Sequence, residues 1–137
     1  MSEPLSHHAA LIYVMVTTSA VDRTMNDEEL GRIGEIVSHL PVFAGYDEDE
    51  LVGTAEACGN ILGEDGGLDK VLGIVKSSLP PKLRETAYAV ALEVAAADLH
   101  VPDEETRFLE VLSDTLELDR ITTAAIERGI RARNTVL

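Results

Sequence analysis

Four carboxylates in this chain of 137 residues recur at one spacing that suits a hard cation: Asp22 with Glu29, and Asp98 with Glu105. In "TSAVDRTMNDEE" and "VAAADLHVPDEE" an apolar or small-residue stretch runs into a lone Asp. An acidic triplet follows five to seven residues later. Oxygen donors of this kind suit calcium or magnesium, whose shells accept carboxylate, carbonyl and water oxygens. Two carboxylates per site is a sparse set, so backbone carbonyls or water must supply the rest. A local reading competes with this one. Each Asp accepts N–H bonds from its own loop, each Glu completes a capping box, and the acidic turn clasps two helices without any ligand. A third reading is recognition of a basic protein partner by the same acids.

The elements that carry these residues follow from periodicity. Residues three, four and seven apart share a helix face. Asp22 lies four beyond Thr18 and seven beyond Met15, so it continues the inner face of a helix over 9–21. Asp98 does the same after Val94 and Ala91 on a helix from about Lys82. Glu29 stands four before Ile33 and seven before Ile36, and Glu105 stands likewise before Leu109 and Leu112. All four acids are therefore expected to turn inward where paired helices meet. Asp27, Glu28, Asp103 and Glu104 are expected to point outward. An Asp at a helix C-terminus opposes the helix dipole by up to ~1 kcal/mol, and a half-buried carboxylate requires partners.

An offset of 76 residues superposes the two halves: Asp22 falls on Asp98, the triplet 27–29 on 103–105, and Ile33, Ile36 and Leu40 on Leu109, Leu112 and Leu116. This reads as a duplicated helical hairpin, 9–40 and 82–117. Asn26 and Glu29 form the signature of a capping box, and Pro41 stops the second helix. "YDEDELVGTAEACGNIL" reads as a third helix, "GEDGG" as a loop, "LDKVLGIVKSSL" as a fourth helix closed by Pro80 and Pro81, and "DRITTAAIERGIRARN" as a seventh. No stretch alternates with period two. The expectation is an all-α fold of about seven helices in a single domain over 1–137, with a pseudo-two-fold hairpin core.

Composition narrows the function. Eleven basic residues against 25 acidic give a net charge of −14, which repels nucleic acid and anionic lipid and attracts cations or basic partners. With 45% hydrophobic but only 4% aromatic residues, the core is built of Leu, Ile, Val and Ala. Cys58 is the one cysteine, so no internal disulfide forms, in keeping with a reducing, cytoplasmic setting. No signal peptide or membrane span is expected.

At the two acidic connections the sequence resembles the tellurite-resistance TerB family, over about residues 8 to 132. The family's small-residue helix ends in Ala-Asp-Gly with a Glu seven beyond the Asp, matched here by Asp22 with Glu29 and Asp98 with Glu105. The Gly is replaced by Arg23 and Leu99. The resemblance implies an all-helical, duplicated fold, an acidic surface for metal ions or a partner, a place in stress-response complexes, and no enzymatic activity.

Other motifs carry less. The stretch from Asp47 begins like an EF-hand loop but has Leu51, Val52 and Cys58 where ligands or Gly belong. Glu35 and His39 are four apart, not the three of a di-iron motif. His7 and His8 read as a solvated pair, His100 as a possible ligand in one connection only, and Cys58 as a buried filler. "GEDGG" lacks the Lys and hydroxyl of a phosphate loop. The expected protein is non-enzymatic and TerB-like, serving metal or stress response. The alternative is a scaffolding module whose acidic turns only cap helices.

Overall fold

The computed structural model describes residues 5–21, 25–96 and 103–137. Within them the chain forms seven α-helices and no strand. These are α1 (His7–Ala20), α2 (Asp27–His39), α3 (Leu51–Leu62), α4 (Gly67–Ser78), α5 (Arg84–Ala96), α6 (Asp103–Thr115) and α7 (Arg120–Arg133). Short 3-10 turns occupy Pro41–Phe43, Glu48–Glu50 and Pro81–Leu83.

Local chemistry sets these boundaries. Ser6 caps α1 by accepting the Ala9 N–H at 3.1 Å, so the helix begins two residues before the apolar run and includes both histidines. They are not a solvated pair. His8 Nε2 lies 2.8 Å from the Val42 carbonyl, and its ring stacks on Phe43 and meets Tyr46 edge-on. The third helix also starts later than its sequence suggests. Asp47 captures the Asp49 N–H at 3.0 Å, which folds Glu48–Glu50 into a 3-10 turn ahead of α3. Between α3 and α4, Gly66 is left-handed at φ +68°, and a Cβ on Gly67 would sit 2.1 Å from the Ile61 carbonyl oxygen. Only glycine allows that close approach. Leu79 is extended, as expected of a residue before proline.

In α1, ten consecutive residues from Ala10 to Ser19 are buried. A helix with no polar face belongs at the centre, and α1 packs against α3, α4 and α5. Helix α5 packs in turn against α6 and α7. One hydrophobic cluster runs through this arrangement, with Leu11, Met15, Ile33, Ala91, Leu112 and Leu116 fully enclosed. Each such Leu or Ile contributes about 1.5–3 kcal/mol by leaving water.

At the 76-residue offset helix bounds and buried positions coincide. Asp27–His39 maps onto Asp103–Thr115, and α1 and α5 end at the equivalent Ala20 and Ala96. Buried Leu11, Val14, Met15 and Ile33 map onto buried Ala87, Val90, Ala91 and Leu109. Helix α3 lies on α1 as α7 lies on α5, although α3 shifted by the same offset would begin at 127 and overlap only the end of α7. Helix α4 has no counterpart among the described residues.

Candidate functional site

Glu29 and Glu105 are buried, at 5% and 3% exposure, each one turn into the second helix of its hairpin. Their neighbours Asp27, Glu28 and Glu104 are exposed. Asp22 and Asp98, the other half of each expected pair, lie outside the described residues, as does His100. Around Glu29 the geometry is that of a capping box. The Asn26 side chain accepts the Glu29 N–H at 2.8 Å, and Glu29 Oε1 accepts the Asn26 N–H at 3.2 Å. Neither buried carboxylate is without a partner. Both sit where the positive end of a helix dipole favours an anion.

Carboxylate oxygens are the right donors for calcium or magnesium. Among the described residues, however, no group of three or more His, Cys, Asp or Glu side chains is placed to hold a metal ion. The described part of each hairpin end offers one buried carboxylate, and Glu29 already spends one oxygen on its cap. A complete shell therefore requires the Asp of each pair together with backbone or water oxygens.

Sequence periodicity overlooked a run of hydroxyls beside the first acid. Thr17, Thr18 and Ser19 at the end of α1 are all buried. Thr18 Oγ1 donates to the Val14 carbonyl at 2.8 Å. Thr17 Oγ1 lies 3.6 Å from Cys58 Sγ, which donates to the Tyr13 carbonyl at 3.7 Å. Ser19 Oγ finds no hydrogen-bond partner. Burial pushes the Cys58 thiol up to about 11, against the opposing pull of its Thr17 bond. A thiol so held is a packing element, not a nucleophile.

The second half differs at the equivalent places. Val94 and Ala95 replace two of the hydroxyls, and Glu93 stands where Thr17 does. Arg133 NH1 lies 2.8 Å from Glu93 Oε1. The approach lacks hydrogen-bond alignment, so the contact is an ion pair by proximity. Nearby, buried Tyr88 donates to Glu127 at 2.8 Å, and burial first, then that carboxylate, pushes its phenol well above the ordinary range.

Two cavities occupy matching positions. One, of about 500 Å³, lies between the end of α1, the start of α2 and α3, and its walls include Val16, Ala20 and Leu30. The other, of about 440 Å³, lies between α5, α6 and α7, where the equivalents are Leu92, Ala96 and Thr106. The first is apolar with Asp27 and Glu56 among its lining. The second carries Glu127, Arg131 and Asn134.

Paired helices whose second members each open on a buried Glu define an all-α protein with acid-bearing hairpin turns. The chain belongs to the TerB family: the model of the Tellurite resistance protein TerB matches residues 8–128. No curated protein and no solved structure gives a match. Among the described residues no helix is long and apolar enough to cross a membrane.

Proposed function

We propose that this TerB-family chain is a non-enzymatic cytoplasmic protein of tellurite, metal or stress response. Its hairpin ends hold a divalent cation, calcium or magnesium, through Asp22 with Glu29 and Asp98 with Glu105. One observation carries the reading: Glu29 and Glu105, at equivalent positions, are the two acids buried below a tenth exposure among the described residues. Burying a carboxylate is costly unless hydrogen bonds or a cation offset the lost hydration.

A second reading is favoured by the Asn26–Glu29 capping box, which accounts for one carboxylate oxygen with no ligand. In that case the acidic turns are clasps and the domain is a scaffold. Calorimetric titration with calcium, magnesium and zinc separates the two. The wild type is expected to bind at least one of these ions, and Asp22→Asn/Asp98→Asn to lose the heat while keeping its helical circular dichroism. If no ion produces heat or a thermal shift, the clasp reading stands and the cation site falls.

A further inference from the structure

Among the described residues, large apolar side chains left in solvent are few, and Val52 on α3, at 52% exposure, is one of them. It stands at the edge of the apolar cavity described above. Met25 and Leu30 form one wall and are half-buried, while Leu62 closes the far end. The α3 residues that line it, from Val52 to Leu62, cover about 15 Å of helix axis. The α3 side of the groove is thus about three turns long. Midway, a Cβ added to Gly59 would meet nothing within 4 Å, so the floor is lower there than any side chain would leave it.

The charged side chains among its described lining residues, Asp27 and Glu56, have one sign. Asp27 and Glu56 line the groove and are both exposed, Glu28 follows Asp27 in exposure, and no Lys or Arg is among the described lining residues. The matching cavity in the second half has mixed charge, with Arg131 beside Glu127. An apolar trough three turns long between acidic rims is complementary to an amphipathic helix with a Leu-like stripe and Lys or Arg at its flanks. A second copy of this chain is a poor occupant, because each copy brings a net charge of −14.

We infer that the α1–α2–α3 groove is a docking site for a basic amphipathic helix of a partner protein. The inference stands apart from the cation site, since the groove is lined by Asp27 and not by Glu29. The test uses a labelled peptide of Leu and Lys, about 15 residues long so that its helix of ~22 Å spans the groove. Its counterpart replaces every Lys by Glu. Fluorescence anisotropy in EDTA keeps any cation site empty, so that failure there does not register here.

The Lys peptide binds saturably and the Glu peptide does not. Gly59→Phe, which fills the trough, weakens binding at least about tenfold, while Gly31→Ala on the exposed side of α2 leaves it unchanged. Asp27→Asn/Glu56→Gln weakens it about three- to tenfold and flattens its salt dependence. Circular dichroism and an unchanged or higher Tm show that Gly59→Phe is folded, as a helical glycine facing open space allows. Equal binding of both peptides, or wild-type affinity in Gly59→Phe, overturns the inference. So does a dimer seen by sedimentation that Gly59→Phe dissolves, which would make a second copy the occupant.

Discussion

Helices α1 and α2 match α5 and α6 at the 76-residue offset, and α3 lies on α1 as α7 lies on α5, yet the contact that joins the first and third helices is chemically opposite in the two sets. Between α1 and α3 it is Thr17 with Cys58, both at 0% exposure and both neutral. Between α5 and α7 the equivalent positions are Glu93 and Asn134, and Glu93 reaches the adjacent Arg133, whose side chain is 67% exposed. The cause is what lies outside. Helix α4 packs on both α1 and α3, and α7 has no such cover among the described residues. A dry contact tolerates hydroxyl and thiol but not an ion pair, whereas a wet one tolerates charge and gains little from it. The same backbone plan therefore yields a dry contact between α1 and α3 and a wetter one between α5 and α7.

The largest test of this comparison is in the hairpin cores. Leu112 is at 0% exposure, but its equivalent Ile36 is only half-buried. Leu112→Ala is expected to cost about 2–5 kcal/mol in urea unfolding, since it removes contacts and leaves a cavity. Ile36→Ala should cost less than half of that. Equal costs would show that the two hairpins are not packed differently.

Next in size is the response to alkali. The Cys58 thiol has a reference value of 9.0 and is raised to about 11 in the fold. Below 9.0 it is protonated whether the chain is folded or not, and its contribution to stability is complete. Between 9.0 and about 11 only the unfolded chain ionises, so stability falls by ~1.4 kcal/mol per pH unit. Tm measured across this window should drop more steeply for the wild type than for Cys58→Ala. Raised Tyr13 and Tyr88 phenols act in the same direction above their reference of 10.0 and remain in both proteins. Parallel curves would mean that the thiol is wetter than its burial implies.

Much of this plan was legible in the residues. The stripe of Leu109, Leu112 and Leu116, the Asn26 cap and the stop at Pro41 are local signals within one or two helical turns, and the structure follows them; in α2 the buried pair is Ile33 and Val37, while Ile36 and Leu40 of the expected stripe are half-buried. What escaped was non-local or competitive. Four consecutive acidic residues at 47–50 compete for one helix start, and Asp47 wins by accepting the Asp49 N–H. His8 is read as solvent-facing until Phe43 and Tyr46 fold back over it. The α3–α7 equivalence left no pattern at all: Val52, Ala55 and Gly59 correspond to Arg128, Arg131 and Thr135. Their matching positions arise from where α1 and α5 offer space, not from shared side chains. Of the candidate site, the inward turn of Glu29 and Glu105 follows from helical phase, because a residue four before a buried one shares its face. Asp22 and Asp98 lie outside the described residues.

The smallest effect sharpens the comparison most. Arg133→Ala removes the exposed partner of Glu93, whose side chain retains 18% exposure. An ion pair whose Arg133 end is this open is worth about 0–1 kcal/mol, and the loss should shrink in ~1 M NaCl, where the screening length falls to about 3 Å. Thr17→Val at the equivalent contact removes a neutral bond of about 0.5–1.5 kcal/mol, and its cost should be the same at low and high salt. Urea unfolding of both variants at the two ionic strengths gives four numbers, and only the difference for Arg133→Ala is expected to move. A salt-dependent Thr17→Val would mean that charge reaches the α1–α3 contact. A salt-independent Arg133→Ala would mean that Arg133 acts through the packing of its methylenes on α5, and that the α5–α7 contact is as dry as the α1–α3 contact.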